Sequence, residues 1–146
     1  MSHPSASSPS LPAVMTIRRA GSGIVPVAAG MMSGPFLIQS LFPSEAEGEM
    51  TALRVFAAPG AVSHWHAHPC GQILFVVDGV GRVQREGGEI SEVRAGDCIW
   101  FAANERHWHG AAPGSPFSYL SVQPVKDGRA VQWFEPVAPD GFARTP

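Results

Sequence analysis

Five of the six histidines fall in two tight clusters, His64, His66 and His68, then His107 and His109. Within each cluster the spacing is two. On a β-strand, residues two apart point to the same face. His66 and His68 can therefore aim at one point, as can His107 and His109, and two adjacent strands would bring three or four imidazoles into one small volume. Imidazole is the commonest metal-donating side chain at neutral pH. A single histidine on a strand is ordinarily a surface or hydrogen-bonded core residue. Several on one face without a metal would lose hydration and leave hydrogen bonds unmade. His64 shares the parity and could crowd or add to such a pocket. Cys70 sits in the intervening loop as a thiol, and Cys98 reads as a core residue.

The elements that would position these rings are short runs of β-branched and aromatic residues. The runs are Phe36–Phe42, Met50–Ala57, Ala61–His66, Gln72–Val77, Gly81–Arg85, Ile90–Val93, Asp97–Phe101, His107–Ala111, Phe117–Gln123 and Val131–Phe134. Turn pairs separate them: Pro59-Gly60, Asp78-Gly79, Gly87-Gly88, Ala95-Gly96, Pro113-Gly114 and Asp127-Gly128. No window of a dozen residues carries a helical apolar period free of Pro and Gly. The pattern predicts an all-β chain, a small antiparallel sandwich or barrel. Trp65 and Trp108 have the opposite parity to the histidines, which places them behind the histidine-bearing face.

The chain has 146 residues, enough for one domain. Residues 1–15 are Ser/Pro-rich and aperiodic and read as a disordered tail holding His3, and 16–146 read as a single domain. Charged residues are only 15% and the net charge is -2, with the arginines scattered and no basic stripe for nucleic acid. The longest uncharged stretch, Ala20–Ser44, is broken by Pro26, Gly30, Gly34, Pro35 and Pro43, which argues against a membrane span. The N-terminus lacks an apolar export signal, so a cytoplasmic location is expected. Two cysteines do not make a disulfide framework. Low charge and apolar segments before residue 60 lead us to expect a homo-oligomer, a dimer or tetramer.

Two stretches resemble a known family. Gly60, five residues, His66-Ala67-His68, three residues, Gln72, six residues, Gly79 resembles the first cupin motif, with Gln72 where the family usually has Glu. Gly96, five residues, Ala102-Ala103-Asn104, two residues, His107 resembles the second, with Pro and Gly missing at 102 and 104 and Ala111 where the motif closes on Asn. The motif core spans 60–111. Within the cupins, His66-Ala-His-Pro-Cys-Gly-Gln72, Gly81–Gly88, Arg94–Asp97 and Glu105-Arg-His-Trp-His-Gly110 are similar to the manganese-dependent cupin hydroxynitrile lyases.

That resemblance implies a jelly-roll, the double-stranded β-helix of cupins. It implies one divalent transition metal held by His66, His68, Gln72 and His107, with Mn favoured over Fe, Ni, Co or Zn. It places an active-site glutamine at Gln123. His109, on the face of His107 but outside the ligand set, is the candidate base for a cyanohydrin hydroxyl, or else an imidazole that orients a ligand. Four neutral ligands would leave the ion its full +2, making a stronger Lewis acid and favouring redox-neutral chemistry. The expected function is a lyase cleaving a small cyanohydrin into aldehyde and cyanide. An Fe- or Mn-dependent dioxygenase and a non-catalytic ligand-binding cupin are the alternatives.

Overall fold

A computed structural model describes residues 7–143. It is nearly all β. The strands are β1 Ile24–Pro26, β2 Met32–Ser33, β3 Phe36–Phe42, β4 Met50–Ala57, β5 Val62–Ser63, β6 His66–Ala67, β7 Gln72–Arg85, β8 Ser91–Arg94, β9 Cys98–Phe101, β10 His107–Ala111, β11 Phe117–Pro124 and β12 Gln132–Trp133, followed by a five-residue helix α1 Pro139–Ala143. All pairings are antiparallel. One face runs β1-β3-β4-β11-β7-β9, and the other runs from β8 through β7 and β10 to the short strands β5, β6, β2 and β12. The sheet curls into a half-barrel. No helix among the described residues is long and apolar enough to cross a membrane.

β7 belongs to both faces. Its first half pairs with β11 and β9, its second with β10 and β8. The sequence reading put a turn at Asp78-Gly79, splitting this element in two. The structure instead bends one 14-residue strand there. The register against β11 slips between Ser118 and Tyr119, and Gly79 takes φ 80°. A bulge of this kind kinks a strand and raises its twist, so the Asp-Gly pair redirects the chain from one face to the other without reversing it.

Between the faces lies the main core, built on Phe36, Val55, Leu74, Val76, Phe101 and Phe117. Each such side chain contributes on the order of 2 kcal/mol by leaving water. A second cluster, with Trp108 and Phe142 in contact, lies outside the histidine face. Trp108 is fully buried there and its indole N–H donates to Gln84, on the side its parity predicts. Cys98 departs from expectation: it is exposed. It alternates with buried Phe101 and half-buried Ile99 on β9, so it shares the outer face with exposed Trp100, Ile73 and Phe75.

Of the tail expected over 1–15, residues 1–6 lie outside the described residues. Two of the others meet the domain: the Pro9 carbonyl accepts the Glu45 N–H at 2.8 Å, and the Leu11 N–H donates to the Glu49 carboxylate at 2.8 Å, while Val14 and Met15 are exposed. The Ser44 hydroxyl donates to the same carboxylate oxygen at 2.7 Å. These donors favour the charged form and hold Glu49 below its ordinary value.

A Cβ added at Gly79 would meet the Pro116 carbonyl oxygen at 1.9 Å. Gly79→Ala is therefore expected to lower the unfolding free energy by roughly 3 kcal/mol, the scale of a strained backbone plus an overpacked contact. Urea denaturation monitored by tryptophan fluorescence measures this.

Candidate metal centre

His66 lies on the two-residue strand β6, opposite His107 of β10. His68 follows one residue beyond, its carbonyl accepting the backbone N–H groups of Gly71 and Asn104. Asn104 has φ 61°, supplying the left-handed turn residue that a glycine would otherwise provide. Gln72 opens β7, and Tyr119, Ser121 and Gln123 alternate along the buried face of β11. The ring centroids of His66 and His107 are 4.3 Å apart, those of His66 and His68 5.2 Å, and those of His66 and His109 4.9 Å. The ligating atoms of His66, His107 and His109 all lie within 4.8 Å of one another.

Three of the four rings are pinned at Nδ1. His66 Nδ1 meets the His64 carbonyl at 2.8 Å, His68 Nδ1 the Ala130 carbonyl at 2.7 Å, and His107 Nδ1 the Glu105 carbonyl at 2.8 Å. A carbonyl can only accept, so Nδ1 carries the proton and Nε2 keeps its lone pair. Such contacts from the far nitrogen orient histidines around metals. His109 differs. Both its ring nitrogens are buried with no hydrogen-bond partner, and only its backbone N–H is held, by the Ser63 hydroxyl.

Gln72 shows what the lone pairs are for. Its Nε2 donates to the Ser121 hydroxyl at 2.7 Å and to Gln123 Oε1 at 3.2 Å. Its Oε1 therefore faces the other way, 3.1 Å from His107 Nε2. With the His107 proton on Nδ1, two lone pairs oppose each other across that gap. His68 Nε2 is a third buried acceptor without a partner. Converging neutral N and O acceptors with no proton to share are a fitting environment for a divalent transition cation.

Burial keeps the imidazoles neutral. It holds His68 down to about 4, against the opposing pull of the Ala130 carbonyl and the Gln72 amide, and His107 down to about 3, against that of the Glu105 carbonyl. His66 and His109 are lowered well below their ordinary value, first by desolvation and then by the neighbouring histidines. Phe101 stacks on His107 at 3.6 Å and 7°, closing that side to water. Burial likewise raises the Tyr119 phenol, which stays neutral beside His109, the ring centroids 4.9 Å apart.

The histidines open on a cavity of about 330 Å³. His66, His68, Gln72, His109, Tyr119 and Gln123 form its polar end. Val27, Met31, Met32, Ile38, Leu53, Val55 and Trp133 line the apolar remainder, and Pro9, Pro43, Ser44 and Glu45 also contribute. Among the described residues, no lysine or arginine lines it.

A cupin-domain profile matches residues 53–123. The chain is also 41% identical over 133 residues to the (R)-mandelonitrile lyase of Granulicella tundricola, covering 89% of this chain and all of that one. The chain belongs to the cupin family. Among solved structures, a cupin-like protein from Thermotoga maritima superposes with a TM-score of 0.77 at 27% identity, covering 88% of this chain and 95% of that one. The polyketide cyclase RemF from Streptomyces resistomycificus gives a TM-score of 0.67 at 18% identity, covering 88% and 91%, a likeness of fold alone.

The cupin fold thus brings together His66, His68, Gln72, His107, His109 and Gln123, all six residues singled out in the sequence. A cupin site of clustered histidines able to take a divalent metal is present. His64 does not line the cavity; the break between β5 and β6 ends its shared parity with His66, and its carbonyl instead orients that ring. Cys70 also lies off the cavity. The shared parity of Tyr119, Ser121 and Gln123 reads in the sequence as a polar strand face toward the pocket, and the structure has all three buried there. Sequence reasoning did not single out Thr51. Nothing local marked Thr51, whose partner is 72 residues away.

The neutral histidines set a pH dependence. In the metal-free protein their folded values lie below the unfolded value near 6.5, so between those limits the unfolded chain binds more protons and stability falls as pH falls. For His68 and His107 the window runs from about 6.5 down to about 4 and 3. Chelator-treated protein is expected to lose about 2 kcal/mol for each of these two between pH 7 and pH 5. Urea midpoints across that range measure the loss.

Proposed function

We propose that this cupin is a metal-dependent, redox-neutral lyase that cleaves and forms the carbon–carbon bond of a small neutral cyanohydrin. One observation carries the reading: the likeness to the (R)-mandelonitrile lyase runs across that protein's whole length, and the residues lining the cavity here suit the same chemistry. His66, His68 and His107 through Nε2, and Gln72 through Oε1, would hold the metal, with Mn favoured by the resemblance. A divalent ion in that setting supplies Lewis acidity that makes a substrate hydroxyl more acidic.

The chain's own residues do the rest. The apolar wall of Val27, Met32, Ile38, Leu53 and Val55 takes the organic group and excludes water. This directs the polar carbon toward the histidines. His109, with neither ring nitrogen committed, takes the hydroxyl proton. As that O–H bond breaks, the carbonyl π bond forms and the carbon–carbon bond releases its electron pair to cyanide. The departing cyanide then recovers the proton from His109, leaving aldehyde and hydrogen cyanide. Burial keeps the resting His109 imidazole neutral and able to accept the first proton, and makes the imidazolium formed by that transfer an acid that readily returns it. Gln123 bounds the same end of the cavity.

The exposed apolar face of β7 and β9, with Ile73, Phe75 and Trp100, supports the expectation of a homo-oligomer, which light scattering at micromolar concentration tests.

Purified protein is expected to carry one divalent transition metal per chain by elemental analysis, and to turn over mandelonitrile with and without oxygen but not after chelation. An absolute need for oxygen would favour the dioxygenase alternative. His66→Ala should lose metal and activity together. His109→Ala should keep the metal while kcat falls by about 10²–10⁴, the usual range for a lost proton-transfer group. Metal loss in that variant instead would move His109 into the ligand set.

A further inference from the structure

The side-chain amide of Gln72 can face the histidines with its oxygen or with its NH₂ group. Only the oxygen is a ligand. The hydrogen bonds behind it decide which. The Thr51 hydroxyl donates to the Gln123 backbone carbonyl at 2.8 Å. That carbonyl is fixed in the ladder between β4 and β11 and can only accept. Thr51 Oγ1 has thereby spent its one proton, so toward the Gln123 side chain it is an acceptor. Gln123 Nε2 donates to it at 2.7 Å. This turns Gln123 Oε1 toward Ser121, whose hydroxyl donates to it at 2.5 Å. Ser121 Oγ, its proton spent in turn, accepts from Gln72 Nε2 at 2.7 Å, and Gln123 Oε1 accepts from the same nitrogen at 3.2 Å. Gln72 is left with Oε1 toward His107. Every link runs one way, and the direction starts at a main-chain oxygen.

We propose that Thr51 is a positioning residue of this site: through Gln123 and Ser121 it fixes which atom of Gln72 is presented to the histidines. The role rests on the reading of Gln72 as a metal ligand given above. It also assigns work to Gln123, whose amide oxygen is occupied by Ser121 and Gln72 and whose nitrogen is held by Thr51. All four side chains are buried, so bulk water does not offer a competing set of partners. Reversing the chain would turn the Gln72 oxygen back toward Ser121 and the Gln123 Nε2 group and point an N–H of Gln72 at the metal position.

The test is a titration of chelator-stripped protein with Mn(II), read as free Mn(II) by electron paramagnetic resonance. Thr51→Val keeps the shape and removes the hydroxyl. It is expected to weaken Mn(II) binding by about 10-fold or more, the scale seen when groups supporting a ligand are lost. Thr51→Ser, which keeps the hydroxyl, is expected to restore binding to within a few-fold. Ser121→Ala breaks the same chain at another link, should weaken binding alike, and carries the test if the valine variant does not fold. Wild-type affinity in Thr51→Val, or a loss shared equally by Thr51→Ser, overturns the proposal. Wild-type protein that binds no Mn(II) would overturn the ligand reading of Gln72 itself, a different outcome in the same titration.

Discussion

The site depends on buried lone pairs that have nowhere to go. His66, His68 and His107 each give their one proton to a backbone carbonyl, and Gln72 spends its NH₂ group on β11. What remains is acceptor density turned inward, in a region where desolvation keeps the rings from ionising. In water such an arrangement would relax by rotating a ring or admitting solvent. Here the sheet fixes the carbonyls and the core fixes the rings, so the mutual repulsion persists, and a cation placed among them would relieve it. The acceptor set is neutral because position 72 carries an amide where the cupin motif usually carries a carboxylate.

This constraint explains much of the architecture. Three rings must be clamped from behind by main chain, and the clamps come from three places: the β5–β6 link, the turn before β10, and the segment before β12. The two-residue strands β5, β6 and β12 would be marginal alone. They hold because β10 supports them and because Trp133 packs on His66 at 4.7 Å. β7 supplies the complement. Its first residue is Gln72, and its bend at Gly79 lets one strand join the face that carries Gln123 to the face that carries the histidines.

Alternation made the strands and the inward aim of the histidines legible in the sequence. β3, β4 and β10 begin and end where apolar and β-branched runs do, and the parity of the histidines translated directly into one cluster of rings, of which His66, His68 and His109 line the cavity. Asp78-Gly79 was misread because the same dipeptide that closes a hairpin also makes a bulge, and only the pairing partner distinguishes them. Cys98 was misread because a small apolar residue between Asp97 and Ile99 does not declare which face it shares. The clamps were invisible in principle: His64, Glu105 and Ala130 act through main-chain oxygens, which every residue has. Thr51 was invisible because its contact joins strands 72 residues apart.

The first third of the chain has a separate consequence. The cupin profile covers residues 53–123, and the donor set falls wholly inside it. Yet Pro9, Val27, Met31, Met32, Ile38 and Pro43, which shape much of the apolar half of the chamber beside Leu53, Val55 and Trp133, all precede it. The clustered donors and much of the apolar lining thus come from different stretches of polypeptide. Substitutions before residue 53 would reshape much of that wall while leaving the clustered donors in place. Exchanging this segment between cupins would therefore alter the chamber's shape without touching the histidines.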